Sequence, residues 1–406
     1  MTSLLARWHV RGWGTTVIDQ AVIAVTNFML SVTVARVAGV SGLGQWGLLV
    51  VVAVSLVGFN RTILLEPFAA SRGGSLVIPD AVRWLLLGAG AVGAAVTGLV
   101  VVFVPAFENV SPAFAVWLGA VCVVQDGARY LAFKVQYAGR ALRSDLSVLA
   151  VSALTLAVTL SADWDPLNGT ILAWSLGLTV GALVNQSWRP RQTQWRTTGA
   201  WWVANCSRLA RSLLEDSIAY TLGIQILLFG LAQLGTASEV GTTRAVSSLF
   251  SPLAIAFTGL NVWLTPHLAS RPQASRTRLL KASFLLGAVG LPMLLLATLL
   301  GPQVIPLLFG SGVSVSHWDV AWGGLASVAA AASLPVLAAA RVANQYQVVA
   351  HARSVAAVTA ILALWFWPIM QGSEGYLGLV AVQGCIVLAA GVYVVAKGRA
   401  AKALRT

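Results

Sequence analysis

Charge is what this sequence has least of. Asp, Glu, Lys and Arg together make up 10% of its 406 residues, against 58% hydrophobic residues. A soluble domain carries about 25% charged residues. No soluble fold hides so much apolar surface, so the solvent of this chain is a bilayer. Cysteine is scarce too: Cys122, Cys206 and Cys385 form an odd, scattered set, which excludes a disulfide framework and offers no metal-ligand spacing. The four His are scattered. No nucleotide fingerprint or nucleophile–base arrangement stands out, so an enzyme is not expected, nor a cofactor, nor a metal. The N-terminus does not read as a signal peptide, because its apolar run is broken by Asp19, Gln20 and Asn27 and eleven more apolar segments follow.

What the chain does have is a series of segments long enough to span a membrane. Twelve are expected, at roughly 15–35, 46–66, 82–104, 112–134, 144–161, 169–188, 213–234, 240–263, 282–301, 318–341, 348–368 and 376–396, each near the ~20 residues a helix needs to cross. The net charge of +13 invites nucleic acid, but the basic residues fall in short clusters between apolar segments, which is the pattern of membrane topology. Of 26 Lys and Arg, 22 lie in alternate loops on one side. The opposite loops carry Glu108, Asp163, Asp165, Glu239, Asp319 and Glu374. The positive-inside rule then places both termini in the cytoplasm. It also places residues 189–212 there, so Cys206 in intact cells is expected to react only with a reagent that crosses the membrane.

The chain also repeats itself. PFAASR at 67–72 recurs as PHLASR at 266–271, an offset of 199; Asp19 matches Asp216, and Gly44 matches Gly241, both at an offset of 197. These matches divide the chain into an N-terminal six-helix lobe (1–188), a cytoplasmic linker with an interfacial helix (189–212) and a C-terminal six-helix lobe (213–406). The expected fold is therefore an all-α integral membrane protein of about twelve transmembrane helices, in two pseudo-symmetric lobes around a central cavity. Parallel repeats of this kind point to a transporter with its site between the halves. In the linker, WWVANCSRLARSLL places Trp202, Cys206, Leu209 and Leu213 on one helical face, as in a helix lying on the leaflet. A structural linker and a gating element are both open.

Four arginines, Arg36, Arg61, Arg129 and Arg244, are not needed for topology. A charge at the centre of a membrane helix costs about 2.5–3.5 kcal/mol or more, so each must face a cavity, pair or snorkel. Arg61 lies five residues before the expected inner end of the second helix, about 7–8 Å deep. Glu66, about 140° further round the helix, is poorly placed to pair with it. Either snorkelling or a wet cavity accounts for Arg61. Asp126 and Arg129 are spaced to pair on one face. Glu215 and Asp216 are read as opening the seventh helix, where acids suit its positive N-terminus. Thr16, Asp19, Gln20, Asn27 and Ser31 fall within about 120° on the first helix, a stripe that suits a water-filled cleft or helix–helix hydrogen bonding. Arg36 and Arg244 sit near outer helix ends, as interface anchors or as a second cationic site. Pro252, Pro292 and Pro335 interrupt helices 8, 9 and 10, as static kinks or as points of bending.

The stretches IDQAVIAVTNFMLSVTVARVAGVSGLGQWG, RTILLEPF and PQVIPLLFG resemble the polysaccharide exporters of the Wzx and RfbX type (O-antigen and teichoic acid exporters). These belong to the multidrug/oligosaccharidyl-lipid/polysaccharide flippase superfamily, which also holds multidrug exporters and lipid II flippases. The resemblance implies a flippase for a polyprenyl-diphosphate-linked oligosaccharide in the inner membrane. Its expected partners are the lipid-linked glycan, membrane lipid, and a glycan polymerase with glycosyltransferases, and no nucleic acid. In that reading Arg61, Arg129, Arg36 and Arg244, with Asn27 and Gln20, are candidates for the diphosphate and cavity, since arginine binds phosphate through paired hydrogen bonds. Asp19, Asp126, Glu66 and Asp216 are candidates for ion coupling. Two alternatives stay open: a Na⁺- or H⁺-coupled multidrug or metabolite antiporter, for which Asp19 suits the ion site, and a non-transport scaffold for glycan assembly, for which the short loops give little surface.

Overall fold

The computed structural model describes residues 2–70, 80–134, 138–190, 198–218, 223–251, 276–342, 346–366 and 372–396. Among them the regular structure is helical throughout: α1 Thr2–Val37, α2 Gly39–Asn60, a π-helical turn Arg61–Leu65, α3 Glu66–Ala70, α4 Asp80–Phe103, α5 Pro112–Lys134, α6 Ala138–Ser161, α7 Pro166–Asn185, α8 Thr198–Asn205, α9 Ser207–Ser217, α10 Gly223–Leu234, α11 237–251, α12 Arg276–Phe309, α13 His317–Val342, α14 Tyr346–Phe366 and α15 Ser373–Ala396, with a short 3₁₀ turn at Pro105–Phe107. Every expected segment overlaps one of these helices. Nine helices among the described residues are long and apolar enough to cross a membrane. α5 is as long but is made less apolar by Gln125, Asp126 and Arg129. The expected seventh and eighth spans run into residues outside the described set, as do Pro252 and the second copy of the repeated hexapeptide. Large apolar side chains such as Val92, Leu99 and Phe103 on α4, and Phe284, Leu291 and Leu295 on α12, stand exposed along these helices. That surface is what lipid covers, and the chain is a multi-pass membrane protein.

Several helices differ from their expected bounds. α1 begins at Thr2, which puts Asp19 far inside the helix rather than about a turn from its start. α6 begins at Ala138 rather than 144. Glu215 and Asp216 lie at the C-terminal end of α9, Ser207–Ser217, so they do not open a helix, and the favourable N-terminal dipole invoked for them does not apply. The side chain of Asp216 itself lies outside the described residues. Pro292 sits inside α12 with Pro302 and Pro306, and Pro335 inside α13.

The acids of the loops have a local role. Asp165 caps α7, accepting a hydrogen bond from the Asn168 backbone N–H at 2.8 Å, with Pro166 at the first helical position. Thr236 and Glu239 form a reciprocal capping box at the start of α11: the Glu239 carboxylate accepts from Thr236 N–H at 2.8 Å and the Thr236 hydroxyl from Glu239 N–H at 3.3 Å. Ser316 and Asp319 repeat the device before α13, at 2.9 and 3.0 Å. The separation of acids from bases along the chain therefore has a second cause beside topology. Helices that begin on one side place carboxylates at their positive ends.

By contact the chain divides into two units, Met1–Ala38 with Leu48–Ser217, and Gly39–Gly47 with Ile218–Thr406. Within the second, the start of α2 crosses α11 at very close range. A Cβ on Gly44 would collide with the backbone of Ala237, and a Cβ on Gly241 with the backbone of Val40. Residue 44 is to 237 as 241 is to 40, with each residue of one helix equivalent to its counterpart at an offset of 197. The glycines equated by the sequence repeat thus face one another across a locally two-fold crossing, where only glycine lets the backbones touch.

Gly44→Val and Gly241→Val should each lower the apparent unfolding temperature of the detergent-purified protein, by an overpacking cost of about 1–3 kcal/mol. Since one crossing carries both glycines, the double variant should lose less than the two single losses combined.

Candidate functional site

A cluster of charge is buried inside the first unit, and three helices and the π turn build it. Asp19 comes from α1, Arg61 from the first position of the π turn, Gln125, Asp126 and Arg129 from α5, and Ser144 and Asp145 from α6. α5 supplies its three residues because positions three and four apart share a face. Asp19 has no exposed surface, and Gln125, Asp126, Arg129 and Asp145 are all buried. α1 packs along α6 and α7, and α5 along α6 and α7, which closes the cluster off.

Arg61 grips Asp126 with two hydrogen bonds. Its Nε donates to Oδ2 at 2.8 Å and its Nη2 to Oδ1, the fork geometry that gives arginine–carboxylate pairs their strength. Arg129 lies at the centre. Its Nη2 is 3.2 Å from Asp19 Oδ2, its Nη1 3.4 Å from Asp126 Oδ1 and its Nε 3.0 Å from Asp145 Oδ2. Its guanidinium also stands over the Phe133 ring, 5.8 Å from the centroid. Gln125 donates to Asp145 Oδ1 at 2.7 Å and to the Ser144 hydroxyl at 3.2 Å, and Ser144 donates on to the Gly181 carbonyl of α7 at 2.8 Å. Gln20 donates to Asp19 Oδ2 at 3.2 Å. Asp19 Oδ1 accepts no hydrogen bond among the described residues.

Three carboxylates therefore face two guanidinium groups. Among the described residues one negative charge is left over where water is scarce, and a proton or a monovalent cation would balance it. The two arginines differ. The side chain of Arg61 is 33% exposed and that of Arg129 10%, so Arg61 is the cluster's accessible edge and Arg129 its centre.

The remaining candidates are placed elsewhere. Asn27 is half-buried and Ser31 fully buried on α1, so the stripe headed by Asp19 and Gln20 turns largely toward protein; the side chain of Thr16 is outside the described residues. Glu66 is half-buried one helical turn beyond Arg61 and forms no ion pair with it among the described residues. Arg36 stands exposed in the last turn of α1. Arg244 is half-buried on α11, its stem against Gly47. Neither is among the ion-pair partners found for Asp19, Asp126 and Asp145 in the described residues. The expected i, i+3 pair of Asp126 and Arg129 forms, but Asp126's closer partner comes from another helix.

Asp145, with Gln125 and Ser144, is a member that the sequence reading missed. A helix starting at 144 puts Asp145 at its very end, where a charge needs no partner within the membrane. The helix starts six residues earlier, which draws Asp145 about 9 Å further from its start along the axis. The one local signal was an amide, Gln125, well inside one apolar segment and an acid, Asp145, at the start of the next. Among the described residues no group of His, Cys, Asp and Glu is arranged to hold a metal ion.

The linker also differs from expectation. Its helix is broken at Cys206 into α8 and α9, which pack on the π turn, α3 and α4. Cys206 is 1% exposed and burial pushes its thiol pKa up. Slow labelling there would report burial and a low thiolate fraction, not sidedness; Asn205, exposed beside it, is the better position for a reporter cysteine.

No protein-family model and no curated protein matches this chain. Solved structures do. A MOP superfamily transporter from Pyrococcus furiosus shares 13% identity over 98% of this chain and 96% of its own, at a TM-score of 0.70. The outward-facing conformation of a multidrug resistance MATE family transporter of the MOP superfamily matches at 0.64, with 12% identity over 98% and 96%. The inward-facing conformation of such a transporter matches at 0.63, with 13% identity over 95% and 96%. The fold is that of the MOP superfamily transporters. At these identities the MOP likeness extends to the course of the chain, and the buried cluster is described from this chain's own residues.

Asp126→Asn removes the carboxylate that serves both arginines. It should destabilise the purified protein by about 3 kcal/mol, the low end for a broken buried pair because Arg61 is partly exposed. Asp145→Asn relieves the excess negative charge while keeping an acceptor, and should stay within about 1 kcal/mol of wild type. Apparent unfolding temperatures of the two variants, measured side by side, check the order.

Proposed function

We propose that this chain is an alternating-access exporter of the cytoplasmic (inner) membrane, with both termini in the cytoplasm, that flips a polyprenyl-diphosphate-linked oligosaccharide. The observation that carries the reading is the buried cluster with its unbalanced carboxylate, set in a fold shared with MOP superfamily transporters. The resemblance of RTILLEPF and its companion motifs to polysaccharide exporters supports the cargo.

In this reading Arg61 has two partners to choose from. It holds Asp126 when no cargo is present. A diphosphate offers more acceptor oxygens and more charge, and draws the accessible guanidinium to itself. Asp126 then keeps only its longer contact with Arg129, and the cluster gains a second unbalanced carboxylate. A proton or cation taken up there links cargo binding to the gradient. The sugar head crosses while the tail stays in lipid, because each CH₂ withdrawn costs about 0.8 kcal/mol. A glycan polymerase and glycosyltransferases are the proposed partners.

One observation favours a second reading. Both cluster arginines are already occupied by carboxylates, as suits a Na⁺- or H⁺-coupled antiporter of a drug or metabolite, with Arg61 and Arg129 serving only the coupling site.

Surface glycan, measured beside membrane protein abundance, separates the two. For the flippase, Arg61→Ala should cut surface glycan at least tenfold at unchanged abundance, and Arg61→Lys should restore part of it, because lysine keeps the charge and loses the planar fork. Normal glycan with Arg61→Ala rules out the diphosphate role. In both readings Asp19→Asn should abolish the dependence of transport on pH or Na⁺, since Asp19 lies deep in the cluster with an oxygen that accepts no hydrogen bond among the described residues; a dependence that survives removes Asp19 from the coupling site.

A further inference from the structure

The π turn that carries Arg61 has a cause in the sequence and a support from outside the helix. In an unbroken α-helix the N–H of residue 67 would bond the carbonyl of Ile63, four residues back. Residue 67 is proline, which has no N–H and whose ring clashes with that carbonyl. The helix responds by widening. The Glu66 N–H reaches back five residues to the Arg61 carbonyl, and Pro67 falls in the first turn of α3, where proline is tolerated. The Ile63 carbonyl still loses its α-helical donor. The indole N–H of Trp202 on α8 supplies one, at 3.1 Å. Beside it the Trp201 ring packs on Phe68 of α3, with centroids 6.2 Å apart and planes at 55°.

We infer that Trp202 is a positioning residue for Arg61: its indole N–H takes the place of the donor missing at Pro67 and holds open the π turn from which Arg61 reaches Asp126. One residue of helix is about 100° of rotation. A turn that relaxed from π to α would swing Arg61 by that angle against α3 and α8, off the carboxylate it now grips. The linker segment therefore bears on the charge cluster through one backbone carbonyl. This is a role that an amphipathic helix lying on a leaflet does not have. Its consequence for transport rests on the function proposed above; the latch itself does not.

Trp202→Phe keeps a ring and removes only the N–H. Amide exchange over residues 61–66 of the full-length purified protein should become about tenfold faster in that variant, the effect of losing one hydrogen bond. In a Pro67→Ala background, where residue 67 has its own N–H for Ile63, the same substitution should change exchange less than twofold. A merely anchoring tryptophan would behave alike in both backgrounds. Arg61 is tied in by a second cycle. With Asp126→Asn already present, Trp202→Phe should lower thermal stability by clearly less than it does alone. Exchange unchanged by Trp202→Phe, an equal effect in both Pro67 backgrounds, or full additivity with Asp126→Asn overturns the inference. If the single-variant result and both cycles hold and transport is unaffected by Trp202→Phe, the latch stands and the proposed role of Arg61 in transport fails.

Discussion

A charge buried in a membrane protein has neither water nor lipid headgroup to turn to, so its partners must come from the protein itself. Arg129 is the point where this constraint is met. It sits among carboxylates from three helices, Asp19 of α1, Asp126 of its own α5 and Asp145 of α6. Each of those helices is thereby committed to one rotation about its axis, because turning any of them would bury a charge without a partner. Ordinary membrane packing is weakly directional, resting on small residues and van der Waals contact. The cluster adds the direction, and it leaves one carboxylate too many.

Arg61 stands at the edge of that arrangement and depends on a second device. Its aim is set by a π turn, the turn is set by Pro67, and the carbonyl that Pro67 cannot serve is met by Trp202. π turns inside helices recur at functional positions because they re-aim a side chain without ending the helix. Here the re-aimed side chain is the more exposed of the cluster's two arginines. An arginine held by two hydrogen bonds yet partly exposed is able to exchange one anionic partner for another. That property underlies the flippase reading and equally permits the antiporter reading.

The two glycines matched by the sequence lie at a close helix crossing. Gly44 and Gly241 were equated by sequence, and they meet at a crossing in which each glycine accommodates the other helix's backbone. Two helices that cross about a local two-fold axis make the same contact twice, so a glycine suited to one side is suited to the other. The charge cluster is not part of that match: the side chain of Asp216, which the repeat pairs with Asp19, lies outside the described residues.

Hydropathy, loop charge and the repeat determined the class of this protein. Length and apolarity are local properties, so helices such as α4, α7 and α15 could be placed within a few residues from sequence alone. The pairing of Asp126 with Arg129 was legible for the same reason, because both lie on one helix at a fixed angle. What sequence could not carry was any partner on another helix. Helical spacing sets Arg61 against Glu66, its neighbour in the chain, and says nothing of Asp126, 65 residues away. Asp145 was passed over because a difference of six residues in the start of α6 separates an interfacial acid from a buried one. Trp202 was read as a residue facing lipid, whereas it serves a carbonyl 139 residues earlier. Helical periodicity tells which residues share a face; only the packing of one helix on another decides what that face meets.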